Sequence, residues 1–199
     1  EVSDVLMTGG DPATMKTDVW KKILLPLLSP EFEHVQTIRM GTKGLSYHPY
    51  RFLTEPDADE LIALFRKMRE HGKHVSIMAH FSHYQEMGPV TLEAIRRLRE
   101  EAGATIRTQS PVMKHINDSP YVWAKMWDMQ VTHGMIPYYM FIARDTGARH
   151  YFELPLARCL EIYQGARKQV SGLGHTARGP SMSSGPGKNL CLRSRNGCR

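Results

Sequence analysis

Apolar positions along the chain switch repeatedly between two periods, and the switching predicts the architecture. Residues 3–8 form a short apolar run that stops at Gly9-Gly10, the pattern of a buried strand. A helix is predicted over 16–28, with Val19, Trp20, Ile23, Leu24 and Leu27 on one face. Residues 35–40 follow as a strand. The clearest helix spans 56–71. Pro56 sits in its first turn, and Asp57, Asp59 and Glu60 complement the positive end of the helix dipole. Leu61, Leu64, Phe65 and Met68 recur at helical spacing, and Gly72 ends the run. The cycle continues with a strand at 75–79 and a helix at 89–101 that turns Leu92, Ile95 and Leu98 inward. After a strand at 105–108, Ser119-Pro120 opens a helix that closes at His133-Gly134. A strand at 138–142 and a helix at 155–170 complete the series.

Strands that alternate with helices imply a parallel sheet with right-handed crossovers, either open or curled into a barrel. Both place their chemistry at the C-terminal ends of the strands, so the residues just after each strand are the candidates. The pattern fades near the end. Residues 171–188 are rich in Gly, Ser and Pro and read as a ligand-gripping loop region. Residues 189–199 are basic, unpatterned and expected to lack structure. Glu1 leads straight into a strand without an initiator Met, so residue 1 reads as a cut.

Composition narrows the classes. The 199 residues suffice for one domain with a sizeable core, and 41% hydrophobic with 23% charged content argues against disorder. No apolar run approaches the roughly 18 residues of a membrane span, and no signal peptide opens the chain. The net charge of +6 weakens as evidence for nucleic acid once located. Arg193, Arg195 and Arg199 lie in the acid-free tail, and no basic stripe interleaved with aromatics appears elsewhere. Cys159, Cys191 and Cys198 form no CxxC, and an odd count without a secretory signal points to a reducing, cytoplasmic compartment. Cys159 falls on the apolar side of a helix and reads as core filler.

Candidate chemistry follows the strands. Thr8-Gly9-Gly10-Asp11-Pro12 is either a plain strand-to-helix turn or a turn whose glycines admit a ligand while Asp11 accepts from an ammonium group. His80 and His83 are three apart, but a strand end sets them on different faces, which favours one His hydrogen-bonding a polar ligand over a metal pair. Gln109 and Ser110 end the next strand, and Asn117-Asp118 has turn and capping chemistry. Arg144, Asp145, Arg149 and His150 follow the strand at 138–142. They form a solvated loop or a carboxylate- or phosphate-binding mouth. Gly185-Pro186-Gly187-Lys188 presents a lysine that is exposed, grips phosphate or forms a Schiff base. It is not a P-loop, because Asn189 breaks the GxxxxGK[ST] pattern.

In order, LMTGGDP, IRMGTK with PYRFLT, HFSH, RTQSPVMKHINDSP, PYYMF, GARHYF, QVSG and the PGK loop resemble successive segments of the lysine 2,3-aminomutase family of radical S-adenosylmethionine proteins, from Val2 to Lys188. The resemblance implies a partial (β/α)6 barrel of five parallel strands over 1–170. It implies three cofactors: S-adenosylmethionine, a [4Fe–4S] cluster and pyridoxal phosphate. Gly9, Gly10 and Asp11 match the family segment beside the methionyl amino group. Arg39 matches an arginine on the cofactor side, His80 and Gln109 match positions near the adenosyl ribose, and Lys188 matches the lysine that holds pyridoxal phosphate. A small amino acid is the implied substrate, with an electron donor for the cluster and self-assembly into a homo-oligomer. No membrane or nucleic-acid partner is implied.

Departures from the family pattern matter as well. The CxxxCxxC that holds the cluster is absent, as are the strand and loop that carry it, so the cluster ligands are expected upstream of residue 1. The two aspartates that grip lysine's ε-ammonium fall at Arg144 and Ser181, with the loop before Gly147 one residue short. An arginine repels an ammonium group, so a substrate with a carboxylate side chain is expected instead of lysine. Two other readings stay open, an inactive truncated fragment and a phosphate-binding barrel enzyme without a cluster.

Overall fold

A computed structural model describes residues 2–143, 147–184, 187–191, 193–194 and 197–198. The chain divides into two compact units, one of residues 1–80 and 86–107, the other of residues 81–85 and 108–199. Strands and helices alternate in both, giving a mixed α/β fold whose paired strands are mostly parallel.

The first unit contains β1 (Asp4–Met7), α1 (Thr17–Leu24), β2 (Thr37–Thr42), α2 (Gly44–Tyr47), α3 (Ala58–Glu70), β3 (His74–His80) and α4 (Pro89–Glu100). β2 lies between β1 and β3, parallel to both, with Leu6 level with Arg39 and Arg39 level with Ser76. Level residues of parallel neighbours point the same way. One face therefore carries Leu6, Arg39, Ser76 and, four residues on, His80. The other carries Met7, Met40 and Ile77. Trp20, Leu24, Leu61, Phe65, Ile95 and Leu98 are buried in this unit's core, with Trp20 edge-on to Phe65 at 5.9 Å.

Where helices stop has local causes. The predicted helix over 16–28 ends at Leu24 and tightens into a 3-10 turn, Leu25–Leu28, because Pro26 cannot donate into an α-helical ladder and crowds the preceding turn. α3 closes with Gly72 at φ +79°, its N–H bonded to the Arg69 carbonyl and that of Lys73 to Met68. Lys73 is buried, and its ammonium group donates to the carbonyls of Phe32 and Val35 at 2.7 Å.

β4 (Thr105–Val112) runs across the division of the chain. The second unit continues with α5 (Pro120–Thr132), β5 (Ile136–Ile142), α6 (Arg149–Phe152) and α7 (Leu156–Arg167). Then come β6 (Arg178–Ser184), β7 (Gly187–Leu190), β8 (Arg193–Ser194) and β9 (Gly197–Cys198). β6 is parallel to β5, β7 is antiparallel to β6, and β8 pairs with β9. All five strands expected from the sequence are present. β6 and the start of β7 occupy the stretch that composition alone marks as loop, and the end of β7 with β8 and β9 lies in the tail expected to lack structure, since a segment without period still has backbone groups for a neighbouring strand to satisfy.

Ser119 stands at the N-cap of α5 but its hydroxyl makes no capping bond, so Pro120 supplies the helix start. Trp123, Trp127 and Tyr163 stack edge-on through this core, with successive centroids 5.5 and 6.0 Å apart. Cys159 is buried as expected, and burial, then neighbouring Cys191, pushes its thiol up to about 11. Among the described residues no helix is long and apolar enough to cross a membrane.

Candidate functional site

The chain leaves β1 through Gly9 and Gly10, at φ +94° and +57°. Glycine is required here by backbone conformation and not by crowding, because an added Cβ at either position meets no atom within 4 Å. The space on the side-chain side of both glycines is therefore open.

Asp11 fixes the turn. One carboxylate oxygen accepts from the Ala13 N–H at 3.0 Å and the Thr42 hydroxyl at 2.6 Å. The other accepts from the Lys43 N–H at 2.7 Å and the Tyr47 hydroxyl at 3.2 Å. A carboxylate offers about four acceptor positions, so Asp11 is occupied in tying the end of β1 to the end of β2. Burial, then the Asp11 charge, raises the Tyr47 phenol above its usual range.

Arg51 braces the segment that follows. It is buried, and its guanidinium donates to the carbonyls of Ala13 at 2.9 Å and Met15 at 3.0 Å, and to both oxygens of Asp57. Burial opposes ionisation of Asp57, yet the Thr17 N–H at 2.6 Å and the Arg51 cation outweigh it and hold the carboxyl below its usual range.

β3 ends at His80, which is mostly buried. Burial, then the Lys43 cation, pushes its imidazole down to about 4, against the opposing pull of Glu86 and Asp11. His80 is therefore neutral near pH 7 and hydrogen-bonds without carrying charge. Lys43 itself pairs with Glu86 at 3.0 Å. Arg39 lies on the same sheet face as His80 and pairs with Asp4 at 2.8 Å. Of the expected residues in this unit, the turn and His80 thus share one electrostatic neighbourhood, while Arg39 lies lower on that face.

In the second unit Gln109 is half-buried in β4, and its carbonyl accepts from the Phe81 N–H at 3.3 Å. His83 accepts from the Gln85 N–H through Nδ1 and stacks on Tyr84 at 4.2 Å. Ser181 is fully buried and its hydroxyl donates to the Met140 carbonyl at 3.3 Å. Lys188 sits in β7 opposite Ser183, with its side chain outside the described residues. Arg144 and Asp145 also lie outside them. Asn117 is a structural hub: it accepts from the Met113 N–H and donates to the carbonyls of Ser82 and Pro111. Among the described residues no three His, Cys, Asp or Glu side chains are grouped to hold a metal ion.

Sequence reasoning gave no site role to Thr42, Lys43, Tyr47, Arg51, Asp57 or Glu86, and read Asp57 only as a helix-dipole partner. IRMGTK and PYRFLT contain three of them, but spacing alone does not separate a buried arginine from one on the surface.

No protein-family model matches the chain. Curated relatives do. A protein named "Putative L-lysine 2,3-aminomutase" from Aquifex aeolicus is 33% identical over 178 residues, 89% of this chain and 46% of that protein. Glutamate 2,3-aminomutase from Clostridioides difficile is 30% identical over 87% of this chain and 38% of its own length. L-lysine 2,3-aminomutase from Bacillus subtilis is 29% identical over 86% and 34%. The chain thus spans between about a third and a half of these relatives. Among solved structures, a radical SAM methyltransferase from Sphaerobacter thermophilus superposes with a TM-score of 0.58 at 15% identity, covering 84% of this chain and 48% of that one. A domain of pyruvate-formate lyase-activating enzyme from Bacteroides vulgatus gives 0.51 at 12% identity, covering 83% and 93%. With the fold of radical SAM enzymes and relatives of this kind along nearly nine-tenths of its length, the chain is similar to the lysine 2,3-aminomutase family.

Proposed function

We propose that the protein is an amino acid 2,3-aminomutase of the radical SAM type, moving an α-amino group to Cβ. The observation that carries this reading is the open Gly9-Gly10 turn, locked by Asp11 at the end of β1 beside a neutral His80. A turn held by Asp11 and open beside both glycines suits the methionyl end of S-adenosylmethionine, because its shape is fixed before the ligand arrives. Asp11 and Arg51 position this turn. His80 offers a hydrogen bond to a ribose hydroxyl without adding charge next to a sulfonium.

S-adenosylmethionine supplies the radical chemistry in this reading, and pyridoxal phosphate supplies the anchor for the migrating nitrogen. The described residues include no ligand set for an iron–sulfur cluster, Cys159 and Cys191 being buried in the second unit. Lys188, on the short β7 strand, is assigned to pyridoxal phosphate. The substrate is assigned a carboxylate side chain, since Arg144 contributes positive charge and Ser181 none.

The test is absorption. Pyridoxal phosphate added to the purified chain is expected to give a visible band that borohydride fixes covalently. Lys188→Ala is expected to abolish it and Lys22→Ala, at an exposed position of α1, to leave it intact. An unchanged band in Lys188→Ala removes the cofactor assignment.

A further inference from the structure

The second unit has a cavity of about 710 Å³ where β6 begins. Arg167, Lys168, His175 and Arg178 line it together with Tyr163 and Leu190, and no Asp or Glu is among its lining residues. Arg178 opens β6, whereas Lys188 pairs with Ser183 five residues further along. At about 3.3 Å per residue the two positions are roughly 16 Å apart along the strand, so the Arg178 end of the cavity lies away from the lysine assigned to pyridoxal phosphate, while Leu190, two residues from Lys188, forms its other edge.

Its cations are arranged, not merely present. The Nε2–H of His175 donates to the Val170 carbonyl at 2.7 Å, which leaves Nδ1 to accept from Arg167 Nη2 at 3.4 Å. The Arg167 guanidinium also lies 5.7 Å from the Tyr163 ring centroid. Between these two contacts its Nε is buried without a hydrogen-bond partner. A buried, unpartnered guanidinium N–H is costly, and it lies beside the exposed basic side chains Lys168, His175 and Arg178. Basic residues at the C-terminus of α7 complement the helix dipole, which accounts for Arg167 and Lys168. That explanation reaches neither Arg178 on the strand nor the orphaned Nε.

We propose that this cavity binds the dianion of a small phosphomonoester. Arg167 and Arg178 are the fork-shaped donors that suit phosphate oxygens, Lys168 adds a point charge, and Tyr163 with Leu190 forms the apolar wall for the carbon skeleton. The volume is that of an ordinary small-molecule site.

Calorimetric titration of the full chain with phenyl phosphate, and separately with inorganic phosphate, tests this. No pyridoxal phosphate is added, so the outcome is independent of the cofactor assignment. One saturable site is expected, with phenyl phosphate tighter than inorganic phosphate. Arg167→Gln/Arg178→Gln should weaken binding at least ten-fold, while Arg158→Gln, at an exposed pair with Glu161, leaves it unchanged. Loss of affinity in Arg158→Gln equal to that in the double variant would mean diffuse attraction to a basic surface and overturn the proposal. So would an absence of saturation. A readout without mutation guards against misfolding: the Arg167 Nε–H resonance of ¹⁵N-labelled protein should shift on adding phenyl phosphate, and a fixed resonance sinks the idea.

Discussion

His80 shows how one buried side chain ties stability to pH. Its imidazole titrates at about 4 in the folded protein, mainly through burial and secondly through Lys43, against about 6.5 when unfolded. Between those values the unfolded chain binds the extra proton, so stability falls as pH drops from 6.5 to 4 and falls no further on this account below that. The loss amounts to at most about 3 kcal/mol. Urea unfolding of wild type and His80→Gln across this window measures it, and parallel profiles for the two proteins refute the assignment. Asp11 gives a second expectation. Asp11→Ala removes an acceptor used by four donors at the ends of β1 and β2. Two of those are backbone N–H groups, and a cost of about 2 kcal/mol is expected. Amide exchange at Gly9 and Gly10 should accelerate in the same variant.

At the scale of elements, close approach decides more than propensity. In α7, a Cβ placed on Gly165 would lie 2.9 Å from the Cβ and Cγ of Pro120, the first residue of α5. Alanine normally gains about 1 kcal/mol over glycine inside a helix, whereas overpacking costs about 1–3 kcal/mol. Gly165→Ala is therefore expected to be destabilising or neutral in thermal melts, and a clear rise in Tm would show that α5 and α7 separate easily. The same competition explains which helices were legible. α3 and α4 announce themselves by an apolar stripe and a Pro or acidic start, α5 by Ser119-Pro120 and α7 by the recurrence of the series, and their observed limits lie within a few residues of the expected ones. α2 and α6, one turn each, have no room for a stripe and follow from loop packing.

For the molecule as a whole, the informative quantity is substrate charge. The relatives carry names for both lysine and glutamate 2,3-aminomutases. With Arg144 and Ser181 at the positions that resemblance matches to the ammonium-gripping aspartates, the proposed function predicts turnover of acidic amino acids at least ten-fold faster than of lysine, which is about 1.4 kcal/mol of discrimination. Mass spectrometry of β-amino acid products from equimolar glutamate and lysine reads this directly. Comparable yields of β-lysine reject the assignment.

Sequence alone determined the strand–helix series, because burying one face of each element forces a period onto the residues, and that period survives without coordinates. It also carried the resemblance to the family, through motifs whose order and spacing agree from Val2 to Lys188. The tertiary structure decided what those motifs do locally. It assigned the Asp11 carboxylate to Thr42, Lys43 and Tyr47, put Arg51 beneath Ala13 and Met15, and set Ser181 against Met140. These partners lie tens of residues apart, and β6 and β7 likewise depend on a neighbour's unpaired backbone. Hydrogen bonds between distant residues leave no periodic trace, so only the folded chain reveals them.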